Sequence, residues 1–532
     1  MRVFGVSPSY TMPPASRDRL RAAALHIGVW VAYLALALLL TWPLGLHLRD
    51  HVVEAPYAWD ALTNTMILGT RVHNALGIGA GGAYDAYFFA PIPHTITFNE
   101  NLFGLSLMFG PVYLLTHEPI LSYNVVLLWS LSLSAYFTFL LVRRLSGNAV
   151  AGFIAGAAFA FCPYVVFEMG RIQLVATQWL PLCLWLLHRA LSGRRWLDFV
   201  LLALAFAIQV GTCLYYALFL LPFLVLVLCV IATKERLWSL RFFGQLATAG
   251  AVAGALIVPM IFPYFDVRHD FDLTRDEDYA QRFDGKLSFL RNVHTTNRIW
   301  GVLRHRFVAA DALEEIAFPG LTIALLALMG LVIPSVTALR ACEPSVRRRL
   351  VVALAFVLST SYVGSLGVSA ATGTLLGAVM VIGVAAFYWR FVAREVRLLP
   401  DLTALYAVAV LLSLALFIGI EPMRVNEGPV HGLYYYLFKY APGFDGIRKV
   451  SRQAIIVMLM FAVLAGFGAT LLLSQLRNTR VRGIVGVVLV VLVVLETYSA
   501  PMALALVPVG SSVPDVYHFI AKKKEPGPIA SI

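Results

Sequence analysis

The sequence predicts an all-α polytopic membrane protein, and three observations carry that prediction. Hydrophobic residues make up 60% of the chain and charged ones 13%, with a mean hydropathy of +0.79, more apolar surface than a soluble fold can hide. Apolar runs of roughly 17 to 23 residues, long enough for a helix to cross about 30 Å of hydrocarbon, recur from residue 24 to residue 505. Nearly all the short turns rich in arginine and lysine fall on one side of a chain threaded back and forth, while acidic and aromatic polar clusters fall on the other.

Taken in order, the first run, 24–46, follows Arg17, Arg19 and Arg21 and lacks a small-residue cleavage site, so it reads as a retained signal anchor. Residues 1–23 are then a cytoplasmic tail. Runs near 121–142, 150–167, 173–191, 197–212, 215–232 and 243–264 alternate without conflict if Arg143-Arg144, Arg189 with Arg194-Arg195, and Lys234 to Arg241 are cytoplasmic. Runs near 318–338, 350–367, 371–390, 402–420, 453–474 and 483–505 do the same with the basic groups at 340–349, 390–397 and 477–482. The expectation is a transmembrane domain over 24–505 with about 13 helices, outer loops at 47–101, 265–316 and 421–452, and an outer tail at 506–532. The run 102–115 is apolar but only about 14 residues long, and counting it as a crossing would put Arg143 and Arg144 outside; it is expected to be re-entrant or interfacial. Leu62, Met66, Ile67, Leu68 and Val72 recur at helical spacing behind Asp60, which predicts a juxtamembrane helix over 57–74 on the outer surface.

The net charge of +12 is mostly these cytoplasmic turns, and no nucleic-acid motif accompanies it, so it points to topology and anionic headgroups and to no nucleic-acid partner. No CxxC or His/Cys ligand spacing occurs among the cysteines, hence neither a disulfide framework nor a zinc site is expected. The acidic residues from Asp266 to Asp284 lack the glycine and terminal glutamate of an EF-hand. No cofactor is required by the sequence, though a divalent metal is compatible with it. Outer loops this long are uncommon unless they do something.

The residues that carry a resemblance run through most of the chain: Trp42-Pro43, Trp59-Asp60, Phe89-Ala90-Pro91, Phe98-Asn99-Glu100-Asn101, Tyr123-Asn124, Gly170-Arg171-Ile172-Gln173, Thr177-Gln178-Trp179-Leu180-Pro181, Tyr215-Tyr216, Phe318-Pro319-Gly320 and, the strongest stretch, Ala441 to Arg452. In order and spacing these resemble bacterial multi-pass GT-C type glycosyltransferases, the group related to YfhO-like and polyprenyl- or dolichyl-phosphate-mannose-dependent mannosyltransferases. The resemblance implies a GT-C-like bundle in a bacterial cytoplasmic membrane. It implies transfer of a sugar from a polyprenyl-phosphate donor to a glycan, lipid or protein acceptor on the outer face, where the C-terminus also lies. It also implies that the acid opening the juxtamembrane helix, here Asp60, is the catalytic base; the alternative for Asp60 is a helix N-cap.

Around it we expect substrate contacts from Glu100, which otherwise caps or is solvated, and from Arg171, Gln173 and Gln178, polar groups costly at membrane depth unless paired or used. Tyr215 and Tyr216 suit sugar stacking or an interfacial aromatic belt. Arg448, Lys449 and Arg452 stand just before a predicted helix and suit a lipid phosphate, or snorkelling to the interface. Two features depart from the family pattern: Arg171 stands where relatives often have His, and Arg448-Lys449-Val450 where they often have Arg-Val-Pro. Many relatives continue beyond Val513-Pro514-Asp515 into a soluble domain, so the tail is either an end or the start of one. The rival classes are a lipid-linked sugar transporter or flippase, disfavoured by spans that are close to charge-free and by the lack of an internal repeat, and a non-catalytic envelope-assembly protein.

Overall fold

The structure is a computed structural model that describes residues 16–54, 58–79, 81–89, 92–272, 277, 281–301, 315–341, 402–419, 423–425, 428–430 and 432–522. The predicted runs 350–367 and 371–390 lie outside the described residues, as do Cys342 and the basic group 390–397. What is described is mostly helical, and 7 helices are long and apolar enough to cross a membrane.

The chain opens with α1 (Ser16–Leu40), strand β1 (His51–Val53) and α2 (Ala58–Ala75), followed by α3 (Phe103–Thr116) and α4 (Pro119–Ser146). Gly147, in the left-handed region, closes α4, and Asn148 accepts from the Val150 and Ala151 amides to open α5 (Ala149–Ala160), so a hairpin forms at Arg143-Arg144. Pro163 then starts the short α6 (Pro163–Phe167), and after Glu168 to Arg171 come α7 (Ile172–Val175) and α8 (Trp179–Gly193). These two crossings are therefore broken where they meet. Their released backbone is tolerable because protein covers it: the Tyr123 hydroxyl donates to the Gly170 carbonyl (3.3 Å) and the Tyr216 hydroxyl to that of Leu174 (3.1 Å).

Next are α9 (Trp196–Thr212), α10 (Leu214–Lys234) and α11 (Leu240–Asp270). Later come α12 (Leu321–Ala341), α13 (Leu402–Phe417), the ribbon of β2 (Met423–Val425) and β3 (Gly428–Val430), α14 (Leu433–Tyr440), α15 (Ala454–Ser474), α16 (Thr479–Thr497), β4 (Leu504–Leu506) and α17 (Asp515–Ala521). The α15 helix is apolar all round and almost wholly buried, packed on α12, α5 and α13, whereas the apolar window of α11 is not buried within the protein at all. Among helices in lipid, close approach rather than hydrophobicity selects the contact. Gly468 and Gly330 provide it here, since a methyl at Gly468 would run into the Leu326 carbonyl and one at Gly330 into that of Leu464.

Two predicted runs end early. The first stops being helical at Leu40 and the last at Thr497, with Pro43 and Pro501 next in line; the residue before a proline is pushed out of the helical region. The extended chain beyond each stop pairs instead. β1 and β4 form an antiparallel ribbon in register His51↔Leu506, Val52↔Ala505 and Val53↔Leu504, so residues 504–506 are a strand and not the end of a span. The predicted all-α class thus carries two small two-stranded ribbons. Residues 103–116 form a helix of about 21 Å, shorter than a hydrocarbon layer, packed against α2, α4 and α9.

Basic turns gather at one end of the bundle. There Arg144 donates to the Ser192 hydroxyl (2.5 Å), Arg189 pairs with Asp198 (2.9 Å) and Gln245 donates to the Arg194 carbonyl (2.8 Å). The loops around Asp60, Glu168, Glu100 and Asp445 gather at the other.

Candidate functional site

At that second end, α2 begins with Asp60 in its first turn, and α4 and the broken junction between α6 and α7 hold the facing wall. Arg171 Nε donates to Asp60 Oδ2 at 2.7 Å, and its Nη1 donates to Glu168 Oε2 at 3.0 Å. One guanidinium therefore bridges two carboxylates of different character. Glu168 is 1% exposed, whereas Asp60 is 43% exposed and its Oδ1 makes no hydrogen bond among the described residues. One turn along α2, Asn64 donates to Gln173 Oε1 at 2.8 Å, fixing the same two segments a second time.

From Gln173 the path continues through Leu174 to Tyr216, whose hydroxyl also meets that of Tyr164 (3.1 Å). Tyr216 is fully buried and so does not present its ring to open space; it is a strut rather than a stacking platform. Its neighbour Tyr215 lies under the Arg452 guanidinium, 5.4 Å from ring centroid to cation. Beside them Glu100 Oε2 accepts the Leu214 amide at 3.0 Å, the first of α10, a position where the helix dipole favours negative charge. Desolvation nevertheless pushes the Glu100 carboxyl up to about 7, against the Leu214 amide and the charge of Arg452, both of which pull it down.

Asp60 and Glu100 hold different partners, Arg171 and the Leu214 amide. Among the described residues no group of three or more His, Cys, Asp or Glu placed to hold a metal includes either. Gln178 is fully buried and turns to the Ser130 hydroxyl (3.4 Å) and Met108 sulfur (3.6 Å). Arg448 and Lys449 lie over the Phe283 ring at 5.8 and 5.2 Å, in a loop that also pairs Asp445 with Arg268 at 2.7 Å. Asp60, Arg171 and Gln173 are therefore in one contact set, Glu100, Tyr215 and Arg452 in an adjoining one, and Gln178 stands behind in the core.

Residues outside the sequence-predicted set also belong here. Asn64 follows Asp60 by four positions on a helix, a spacing that puts both on one face. Arg71, two further turns along, is buried and donates to the Asn101 carbonyl through Nε and to the Ala83 carbonyl (3.1 Å), so it holds the strand of loop that carries Glu100. Its guanidinium faces the rings of Tyr84 and Phe103 at 5.0 and 4.9 Å, and it lines a cavity of about 470 Å³ between α2 and α3 whose other walls include Leu76, Leu107 and Leu114. Gln453, at the entrance to α15, is 1% exposed, and neither amide atom has a hydrogen-bond partner among the described residues. Nothing in the sequence distinguishes it from a helix-capping glutamine.

The family described as Domain of unknown function (DUF6311) matches residues 87–376, more than half of the chain, and the protein belongs to that family. No curated protein matches the chain.

Proposed function

We propose that this DUF6311 member is a membrane glycosyltransferase of the GT-C type, with about 13 spans. It would transfer a sugar from a polyprenyl-phosphate donor to an acceptor hydroxyl at the outer face of a bacterial cytoplasmic membrane. The observation that carries the reading is Asp60. Its Oδ2 is fixed by Arg171 and its Oδ1 accepts no hydrogen bond among the described residues, at the end of the bundle opposite the basic turns. A carboxylate so held is oriented without being used up, and a positioned base contributes about 10²–10⁴-fold.

In the proposed step the acceptor oxygen bonds to the anomeric carbon and its proton passes to Asp60 Oδ1. The bond from that carbon to the phosphate oxygen breaks, and the electron pair leaves with the lipid phosphate. Displacement on the face opposite the leaving group inverts the anomeric centre. Arg452, with Arg448 and Lys449 in the same loop, suits the departing charge. Arg171 and Glu168 act as positioning residues, Glu168 holding the guanidinium that holds Asp60. Glu100 and Tyr215 would meet the sugar, and the apolar cavity lined by Arg71 suits a lipid chain. The acceptor class, glycan, lipid or protein, is left to the assay.

The test is transfer of labelled sugar from a panel of polyprenyl-phosphate donors to membrane extracts by the purified protein in liposomes, beside Asp60→Asn. Product that disappears in the variant, with donor binding retained, supports the reading. An unimpaired variant removes Asp60 from the mechanism, and labelled lipid crossing the bilayer without product favours a flippase.

A further inference from the structure

A second polar cluster lies outside the residues used above, in the turn between α1 and β1. His47, Asp50 and His51 converge there: His51 Nδ1 is 2.8 Å and His47 Nδ1 4.0 Å from the same oxygen, Asp50 Oδ1. The two imidazole centroids are 4.6 Å apart, and one ligand atom from each residue lies within 4.8 Å of the others. We propose that this triad is a binding site for a divalent transition ion of the zinc class, with three protein ligands and an open position for water. The inference stands independently of the transferase reading.

The chemistry of the donors is the first argument. Two imidazoles and one carboxylate are the borderline ligands that such ions select, and three protein ligands leave the exchangeable position of an open site. Distance is the second. Bonds of about 2.0–2.2 Å in a tetrahedral site put ligand atoms roughly 3.3 Å apart, between the two separations to Asp50 seen here, a spacing that partly exposed side chains reach by rotation.

The turn is also held in place by groups that do not ligate. Asn124, fully buried on α4, donates through Nδ2 to the carbonyls of Leu48 (2.9 Å) and His51 (2.7 Å). The His51 amide donates to the His47 carbonyl (3.2 Å), so the two histidines stand one helical turn apart on one side. The Asp50 carbonyl accepts the Val507 amide (2.7 Å) at the end of the β1–β4 ribbon. A bound ion would therefore staple the exit of α1 to the segment that pairs with the C-terminal strand.

The experiment uses the purified full chain in detergent with any polyhistidine tag removed. Zinc binding is followed by calorimetry and cobalt binding by visible d–d absorption. The expected result is one saturable site with a tetrahedral or five-coordinate cobalt spectrum. It should lose at least about 100-fold in affinity in His47→Ala, more than an outer-shell substitution typically costs. Asp50→Asn, which keeps shape, is the second variant should His47→Ala fail to fold. Equal affinity in the wild type and in a folded variant, or no saturable site in the wild type, overturns the proposal.

Discussion

Replacing Arg171 by Met tests whether one guanidinium holds the candidate site together. Its two ion pairs are unequal. The Asp60 limb, on a carboxylate 43% exposed, resembles a surface pair and is worth about 0–1 kcal/mol. The Glu168 limb, on a carboxylate 1% exposed, is of the buried kind, where removing one partner costs about 3–5 kcal/mol. Arg171→Met is thus expected to lose about 3–5 kcal/mol, nearly all through Glu168. Adding Glu168→Gln removes the buried charge that the arginine offset and should recover about 2–3 kcal/mol of that, a coupling within the range seen for residues in contact. The assay is chemical unfolding in mixed micelles followed by circular dichroism, compared at equal m-values so that midpoints report stability. A loss below about 1 kcal/mol in Arg171→Met, or a double variant no more stable than the single, would falsify the assignment. If the site reading is also right, the double variant regains stability without regaining transfer, because Asp60 is no longer oriented.

Three further outcomes follow from the geometry. Glu100 binds its proton more tightly folded than unfolded, its carboxyl lying at about 7 instead of 4.5; the folded state therefore loses stability as pH rises from about 4.5 to 7. Melting curves across that window should slope downward with pH in the wild type and flatten in Glu100→Gln, and parallel slopes would refute the coupling. Gly468→Leu forces a side chain against the Leu326 backbone and should lower the unfolding midpoint by the equivalent of about 1–3 kcal/mol, or separate α12 from α15; an unshifted midpoint would show that this contact is loose. Asn124→Ala leaves the carbonyls of Leu48 and His51 without its amide and should cost about 1–3 kcal/mol. In the same variant zinc affinity, measured by calorimetry, should fall about 10–100-fold, and an unchanged affinity would mean the turn is ordered without it.

The parts of the fold legible in the sequence are those set by hydrophobic length and by local chemistry. The α2 helix appears where apolar residues recur behind Asp60, and the α4–α5 hairpin where Gly147-Asn148 follows Arg143-Arg144. What was illegible depends on partners far away in the chain. The β1–β4 ribbon pairs residues separated by most of the sequence; β1 alone is three residues within a predicted loop, and β4 alone is three apolar residues that a hydropathy window reads as the fringe of a helix. Tyr215 and Tyr216 look alike as neighbours in sequence, but a helix points consecutive side chains about 100° apart, so one meets Arg452 and the other is sealed against Leu174 and Tyr164. Arg171 was legible as an expensive polar group requiring a partner; that its partner is Asp60, more than a hundred residues earlier, was not.

The two ends of the bundle each contain an arginine paired with an aspartate near the start of a helix, and comparing them isolates what makes one a candidate for chemistry. Arg189 meets Asp198 at 2.9 Å in the first turn of α9, and Arg171 meets Asp60 at 2.7 Å in the first turn of α2. By distance and by position on the helix they are equivalent. They differ in which partner is enclosed: Asp198 is 2% exposed and its arginine 35%, while Asp60 is 43% exposed and its arginine 10%. At the basic end the carboxylate is the buried member, so it serves the hairpin and no substrate can reach it. At the other end the guanidinium is buried and the carboxylate faces outward, the arrangement in which a protein holds an acid for use. Isosteric Asp198→Asn should therefore lower stability by about 3–5 kcal/mol, through loss of a buried ionic partner, and leave transfer in the folded fraction intact. Asp60→Asn should cost at most about 1 kcal/mol and abolish transfer. If the two substitutions prove equally destabilising, the Asp60 pair is a second structural clamp, and its place at the acidic end carries no catalytic meaning.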